Sequence, residues 1–243
     1  MNYTDNFSNR INTFMYAVNK YEHCMEYEFK NMINELELKN NDVVVSLGGG
    51  GLRINKYIEK QVNITYLSFD FLLEWCQCDD SILFCTTNKI PLPDAYVDKI
   101  IILAVLHHFS NEERIELYKE CYRILKKSGK FIVADVIKNS NQDIWLNQFV
   151  NKYNPFGHNG TFFDFNDAKI LENEHFDVCI KCPKYCWWFN NKLEMLDYVK
   201  NLFHLNITDK ELEDNLNKIL KPFKENGKYY FHWELIYFTC NKN

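Results

Sequence analysis

The sequence predicts an α/β fold, a mostly parallel sheet with helices on both faces, and three observations carry that expectation. Short β-branched runs alternate with stretches of helical periodicity, the rhythm of strand and crossover helix. One run, Val43-Val44-Val45-Ser46-Leu47, stops at four consecutive glycines, Gly48 to Gly51, half of the eight in the chain. Polar groups recur where the runs end, at Asp70, Thr86, His107 and Asp135. In a parallel sheet those carboxyl ends face one crevice, where ligands bind.

The elements follow in order. From Ser8 to Leu38 apolar residues recur at helical spacing, at Ile11, Phe14, Met15, Val18, Met25, Phe29, Met32, Ile33 and Leu36, as one long helix or two. Val43 to Leu47 is the first strand and Arg53 to Lys60 the first crossover helix. The glycine turn between them brings backbone N–H groups close to a polar ligand, because glycine has no Cβ to hold the ligand away. Asn63 to Phe69 is the second strand, and Asp70 follows it about twenty residues after the glycines, where nucleotide-binding α/β folds keep a ribose-binding carboxylate.

Ile82 to Cys85 makes a third short strand, and Lys99 to Val105 a fourth whose unbroken apolar character predicts burial on both faces. Leu106-His107-His108-Phe109 comes next, and Ser110 with Glu113 forms a capping box for a helix over Asn111 to Lys126. Ser128-Gly129 ends that helix, and Lys130 to Val136 is the fifth strand. A helix over Asp143 to Tyr153, a turn-rich loop containing His158, a helix over Asn166 to Asn173 and a strand over Phe176 to Cys182 continue the rhythm. It then breaks. Asn190 to Asn226 reads as a helical insertion with helices over Lys192 to Leu205 and Asp209 to Lys221, and Tyr229 to Cys240 as one long closing strand, the seventh, with aromatics at period two.

Composition excludes several classes. The chain has 243 residues, 47% of them hydrophobic and 16% aromatic, enough for a sizeable core. Acidic side chains outnumber basic ones, 33 to 28, which argues against a general nucleic-acid surface. No apolar run reaches the roughly 18 to 20 residues of a membrane span, and residues 1–10 carry no signal-peptide pattern, so a cytoplasmic location is expected. Nine cysteines are then expected as reduced thiols. Cys179, Cys182 and Cys186 have a spacing that zinc sites use, with Cys240 or His175 as a fourth ligand, but they alternate as strand residues do and no second pair exists, so no metal is expected.

The order of motifs resembles the class I S-adenosylmethionine-dependent methyltransferase family over about residues 40 to 182. The glycine motif of Val43 to Gly51, the acid Asp70, Ile90-Pro91-Leu92-Pro93-Asp94 with Val97-Asp98, Val105 to Phe109, and Arg123 to Lys130 carry the likeness together. The resemblance implies a Rossmann-like, mostly parallel seven-stranded sheet, with residues 1–40 as an N-terminal helical lid and 184–227 as a helical insertion forming an acceptor-pocket subdomain within a single methyltransferase-like domain, 1–243. It implies S-adenosylmethionine as cofactor, held by Ser46, Gly48, Gly49, Gly50, Asp70, Phe71, Thr86 and Thr87. Three positions depart from the family pattern: Ser46 and Thr86 stand where acids are usual, and Leu52 where a third glycine is. Each exchanges a charged or flexible contact for a neutral or bulkier one, and a charge-assisted hydrogen bond is worth about 1.5–3 kcal/mol.

Methyl transfer is in-line displacement, which gains most from positioning, and a base is required only when the acceptor must lose a proton. His107 and His108, at the mouth of the fourth strand, are the candidates by position and by the ordinary pKa of imidazole; His158 and Tyr16 follow, each on a segment able to close over a pocket. Trp187 and Trp188 are expected to line the acceptor pocket. The expected reaction is methylation of an O or N atom of a small molecule, a sugar or a specialised metabolite; the competing expectation is a methyltransferase-like partner subunit without turnover. The aromatic content is compatible with a homodimer.

Overall fold

The computed structural model describes residues 10–49, 54–58 and 62–243. It divides into two compact units.

One unit, residues 29–135, 163–183 and 235–243, holds a seven-stranded sheet. Its strands are β1 (Val43–Leu47), β2 (Thr65–Asp70), β3 (Ile82–Phe84), β4 (Val97–Leu103), β5 (Leu125–Val136), β6 (Phe176–Lys181) and β10 (Leu235–Lys242), in the order β3-β2-β1-β4-β5-β10-β6. The neighbours β1/β2, β1/β4, β2/β3 and β4/β5 are parallel, and β10/β6 is antiparallel. The expected fold is therefore present. Val44, Val45 and Leu47 of β1, Ile100 and Ile102 of β4, and Ile132, Val133 and Ala134 of β5 are fully buried, as central strands covered on both faces must be. The chain order places β1 and β4 side by side, so their carboxyl ends open onto a common switch point.

Two sequence expectations change in this sheet. The helix after His108 ends at Ile124, and Ser128-Gly129 lies inside β5, where the register with β4 shifts between Val97 and Lys99. Ser128 takes a φ of 63°, so the pair makes a bulge in the strand instead of a helix stop. The expected single closing strand is two. Lys228–His232 ends before Trp233, and only Leu235–Lys242 joins the seven-stranded sheet.

The other unit comprises residues 1–28, 136–162 and 184–234. The N-terminal periodicity resolves into two helices, α1 (Ile11–Lys20) and α2 (Glu26–Leu36), of which α1 lies wholly in this unit. A helix over 141–153 widens into a π segment at Ile144–Val150. The segment expected as a helical insertion, 184–227, contains the helices Lys192–Leu202 and Asp209–Ile219, but also the strands β7 (Cys186–Phe189) and β8 (Phe223–Glu225), which form with β9 (Lys228–His232) a three-stranded sheet ordered β7-β9-β8. Its core is aromatic. Trp187 is stacked on Trp233 at 4.2 Å, packs against Phe231 and Tyr198, and donates its indole N–H to the buried carboxylate of Glu28 at 2.7 Å. Trp187 is thus a core residue, which corrects its assignment to an acceptor pocket. Among the described residues no helix is long and apolar enough to cross a membrane.

Candidate functional site

The glycine turn grows directly out of β1. Gly48 takes a φ of +70° and its N–H donates to the Phe69 carbonyl at 2.8 Å, which bends the chain away from the sheet at the end of the strand. A Cβ at Gly48 would stand 2.9 Å from both Val105 methyls and 3.0 Å from the Phe71 ring. Backbone alone therefore fits between the ends of β1, β2 and β4. Gly49 keeps the same closeness toward the strand, since a Cβ there would meet Ser46 Oγ at 3.2 Å. Gly50, Gly51 and Leu52 lie outside the described residues.

Ser46, in place of the usual acid, is buried and sits in register with Ser68 of β2. Burial pushes the Tyr66 phenol up to about 12, against the opposing effect of hydrogen bonds with Ser46 and Ser68. The serine is thus part of a neutral hydroxyl group under the glycine turn.

Asp70 ends β2 with no solvent exposure, and its carboxylate accepts the Leu72 N–H at 2.9 Å, fixing the turn into the next helix. Its charge reaches nearby thiols: burial first, and Asp70 second, push the Cys85 and Cys76 thiols up. Phe71 follows, its ring edge-on to Phe109 at 5.1 Å, an apolar wall beside the carboxylate. Thr86 and Thr87 lie beyond β3. Thr86 is exposed and donates to Asn88 within its own turn, and Thr87 donates to Glu116 at 3.4 Å.

At the mouth of β4 the backbone makes a tight corner. Ala104 takes a φ of 52°, and a short 3-10 turn, Leu106–His108, follows. The buried Arg114 of the helix Asn111–Ile124, called α3 below, holds this corner by donating from Nε to the Leu106 carbonyl at 3.0 Å, with its guanidinium 4.1 Å over the Phe163 ring. The corner presents His107 to Asp135 near the end of β5: the backbone N–H donates to Oδ2 at 3.1 Å and Nδ1 meets Oδ1 at 2.8 Å. Both residues are buried, at 5% and 0% side-chain exposure, so the pair is well shielded from water. A carboxylate only accepts, so Nδ1 carries the proton and Nε2 the lone pair in the neutral ring. The His108 ring lies 4.0 Å from that of His107.

One unit therefore brings Ser46, Gly48, Gly49, Asp70, Phe71, His107 and His108 to the carboxyl ends of β1, β2 and β4. Tyr16 and His158 belong to the other unit, each with its own surroundings. Tyr16, on α1, donates to Asp197 at 3.1 Å and accepts from Lys20. His158 is buried, donates its backbone N–H to Asn151 and lies parallel to Phe162 at 6.3 Å. Two participants had no role assigned in the sequence. Asp135 was visible only as an acid at a strand end. Arg114 lies on the apolar stripe of its helix with Leu117, Tyr118 and Cys121, and a cation on such a stripe was the signal.

Residues 4–182 match a family described as hypothetical methyltransferase. Phosphoethanolamine N-methyltransferase of Plasmodium falciparum is 25% identical over 211 residues, 81% of this chain and 71% of that protein. Among solved structures, an S-adenosylmethionine-dependent methyltransferase from Thermotoga maritima has a TM-score of 0.63 at 15% identity, covering 98% of each chain. Phosphoethanolamine N-methyltransferase 2 of Haemonchus contortus, in complex with phosphomonomethylethanolamine and S-adenosylhomocysteine, has a TM-score of 0.61 at 10% identity, covering 97% of this chain and 57% of that one. At those identities the solved structures speak for the fold alone.

Proposed function

Because the chain belongs to the hypothetical methyltransferase family and uses S-adenosylmethionine as methyl donor, we propose that it methylates a nitrogen or oxygen atom of a small molecule, with His107 as proton acceptor. The observation that carries this reading is the 2.8 Å contact between His107 Nδ1 and the buried Asp135 carboxylate.

The residues present fit the donor. The backbone at Gly48 is tightly bounded by Val105 and Phe71, Asp70 offers a carboxylate for a pair of ribose hydroxyls, and Phe71 and Phe109 offer apolar surface to a base. S-adenosylmethionine supplies a methyl group on a sulfonium centre, and transfer leaves a neutral thioether. The N–H or O–H proton that the acceptor loses on methylation would go to His107 Nε2. Asp135 fixes the tautomer and offsets the charge of the imidazolium that results. His108, with its ring against His107, is the alternative base, and His158 and Tyr16 stand behind it. Selectivity for the acceptor is assigned to residues 1–40 and 184–227. The cofactor contacts are assigned to Ser46, Gly48, Gly49, Gly50, Asp70, Phe71, Thr86 and Thr87. Nine cysteines outside any disulfide favour a reducing, cytoplasmic setting.

A small amino alcohol phosphate is the first acceptor to try, since the curated relative is named for phosphoethanolamine. Purified protein is incubated with S-adenosylmethionine and a panel of such amines and of sugars, and S-adenosylhomocysteine release is followed. His107→Asn and Asp135→Asn are expected to lower kcat about 10²- to 10⁴-fold with cofactor affinity retained, whereas Asp70→Ala loses cofactor binding by calorimetry. Full turnover in His107→Asn would remove that residue from the mechanism. No cofactor binding by the wild type would leave the silent partner subunit as the reading.

A further inference from the structure

We propose that His23, Cys24 and Glu194 form a binding site for one divalent cation of the zinc class, within the unit that holds the three-stranded sheet. His23 and Cys24 occupy the turn between α1 and α2, and Glu194 lies in the first turn of the helix Lys192–Leu202. Their donor atoms all lie within 4.8 Å of one another. His23 Nε2 is 2.7 Å from Glu194 Oε1, and Cys24 Sγ is 3.8 Å from His23 Nε2. Tetrahedral coordination with ordinary zinc–sulfur and zinc–nitrogen or –oxygen bonds needs donor separations of about 3.3–3.6 Å, a span that the two contacts bracket.

Each ligand is already oriented by another group. Asn190 donates its backbone N–H to Glu194 Oε1 at 3.0 Å and its side-chain amide to Oε2 at 3.0 Å, and the Asn191 side chain accepts the Glu194 N–H at 2.9 Å. The His23 ring lies 4.2 Å from that of Trp188, and the Trp188 backbone N–H donates to the Cys24 carbonyl at 3.2 Å. Such outer contacts hold ligands in place in metal centres. Cys24 is fully buried while the His23 side chain is 26% exposed, so water can reach a fourth position from one side.

A thiol, an imidazole and a carboxylate suit zinc or cobalt, and the sulfur and nitrogen disfavour magnesium and calcium, which prefer oxygen. Binding replaces two protons: the Cys24 thiol proton is released, and the Nε2 proton now shared with Glu194 leaves or moves to Nδ1. The cation would tie the α1–α2 turn to the start of the helix bearing Glu194.

The test uses the full, reduced chain with cobalt(II) as a spectroscopic probe and zinc in competition. One cobalt per chain is expected, with a thiolate-to-cobalt charge-transfer band that zinc displaces. The band is lost in Cys24→Ser and kept when Cys179, Cys182 and Cys186 are all changed to serine. Glu194→Gln, which keeps an oxygen toward His23, is expected to weaken affinity about 10- to 100-fold, and it decides the matter if Cys24→Ser fails to fold. Absence of saturable uptake, a band that survives Cys24→Ser, or unchanged affinity in Glu194→Gln would overturn the site.

Discussion

Gly48 carries two demands at once, a left-handed backbone and a space too small for a methyl group. A φ of +70° is costly for any residue with a Cβ, about 1–2 kcal/mol, and the Val105 methyls 2.9 Å away add a steric cost. Gly48→Ala is expected to lower the urea midpoint accordingly and to abolish S-adenosylmethionine binding in the same preparation; a variant that binds normally would show that the turn tolerates the shift. Ser46 illustrates how a departure from a family pattern is absorbed. Its hydroxyl joins those of Tyr66 and Ser68, so the strand end keeps a satisfied polar group without the charge that an acid would bring. Arg114 shows the opposite case, a buried cation kept where a carbonyl and an aromatic face receive it.

Among the elements, α3 is the one on which the His107 corner depends. Its N-terminus is closed by a reciprocal box, with Glu113 N–H donating to Ser110 Oγ at 3.2 Å and Ser110 N–H donating to Glu113 Oε2 at 2.8 Å. Ser110→Ala is expected to cost about 1 kcal/mol in denaturant unfolding, with Glu113→Gln milder because the amide oxygen still accepts. The capping box is local chemistry, which explains why it was readable in advance. The fate of residues 228–242 was not. Alternation tells which side chains share a face, and Tyr229, Phe231, Trp233, Leu235 and Tyr237 alternate without interruption. It does not tell which strand is the partner, and here one half pairs with Trp187 and Trp188 while the other pairs with β6.

At the scale of the molecule, acid is expected to destabilise the unit built on α1. Burial, and then the Arg10 charge, hold the His204 imidazole below its ordinary 6.5. The unfolded chain then binds more protons just below pH 6.5, so the stability contributed is present above that value and is lost as pH falls through the lower, folded one. His204→Gln removes this limb, which urea midpoints measured across that interval will detect; identical slopes in both proteins would refute it. Asp197 adds a second limb at lower pH. Burial pushes its carboxyl up, but hydrogen bonds from Tyr21, Lys20 and Tyr16 outweigh this and leave it below 3.8, so its contribution is lost only in strong acid.

The sequence by itself determined the first six strands of the main sheet, the glycine turn, the acid after β2 and the two histidines after β4. These are written in short-range signals: hydrophobic period, β-branching, caps, and the positions where apolar runs stop. Tertiary structure alone decided that Asp135 would face His107 across 28 positions, that Arg114 would close the corner between them, and that His23 and Cys24 would meet Glu194 across about 170. Contacts of that kind depend on which strands are neighbours and how crossovers return. Periodicity is blind to both, because the free energy that fixes them comes from burying whole faces together and not from any one segment.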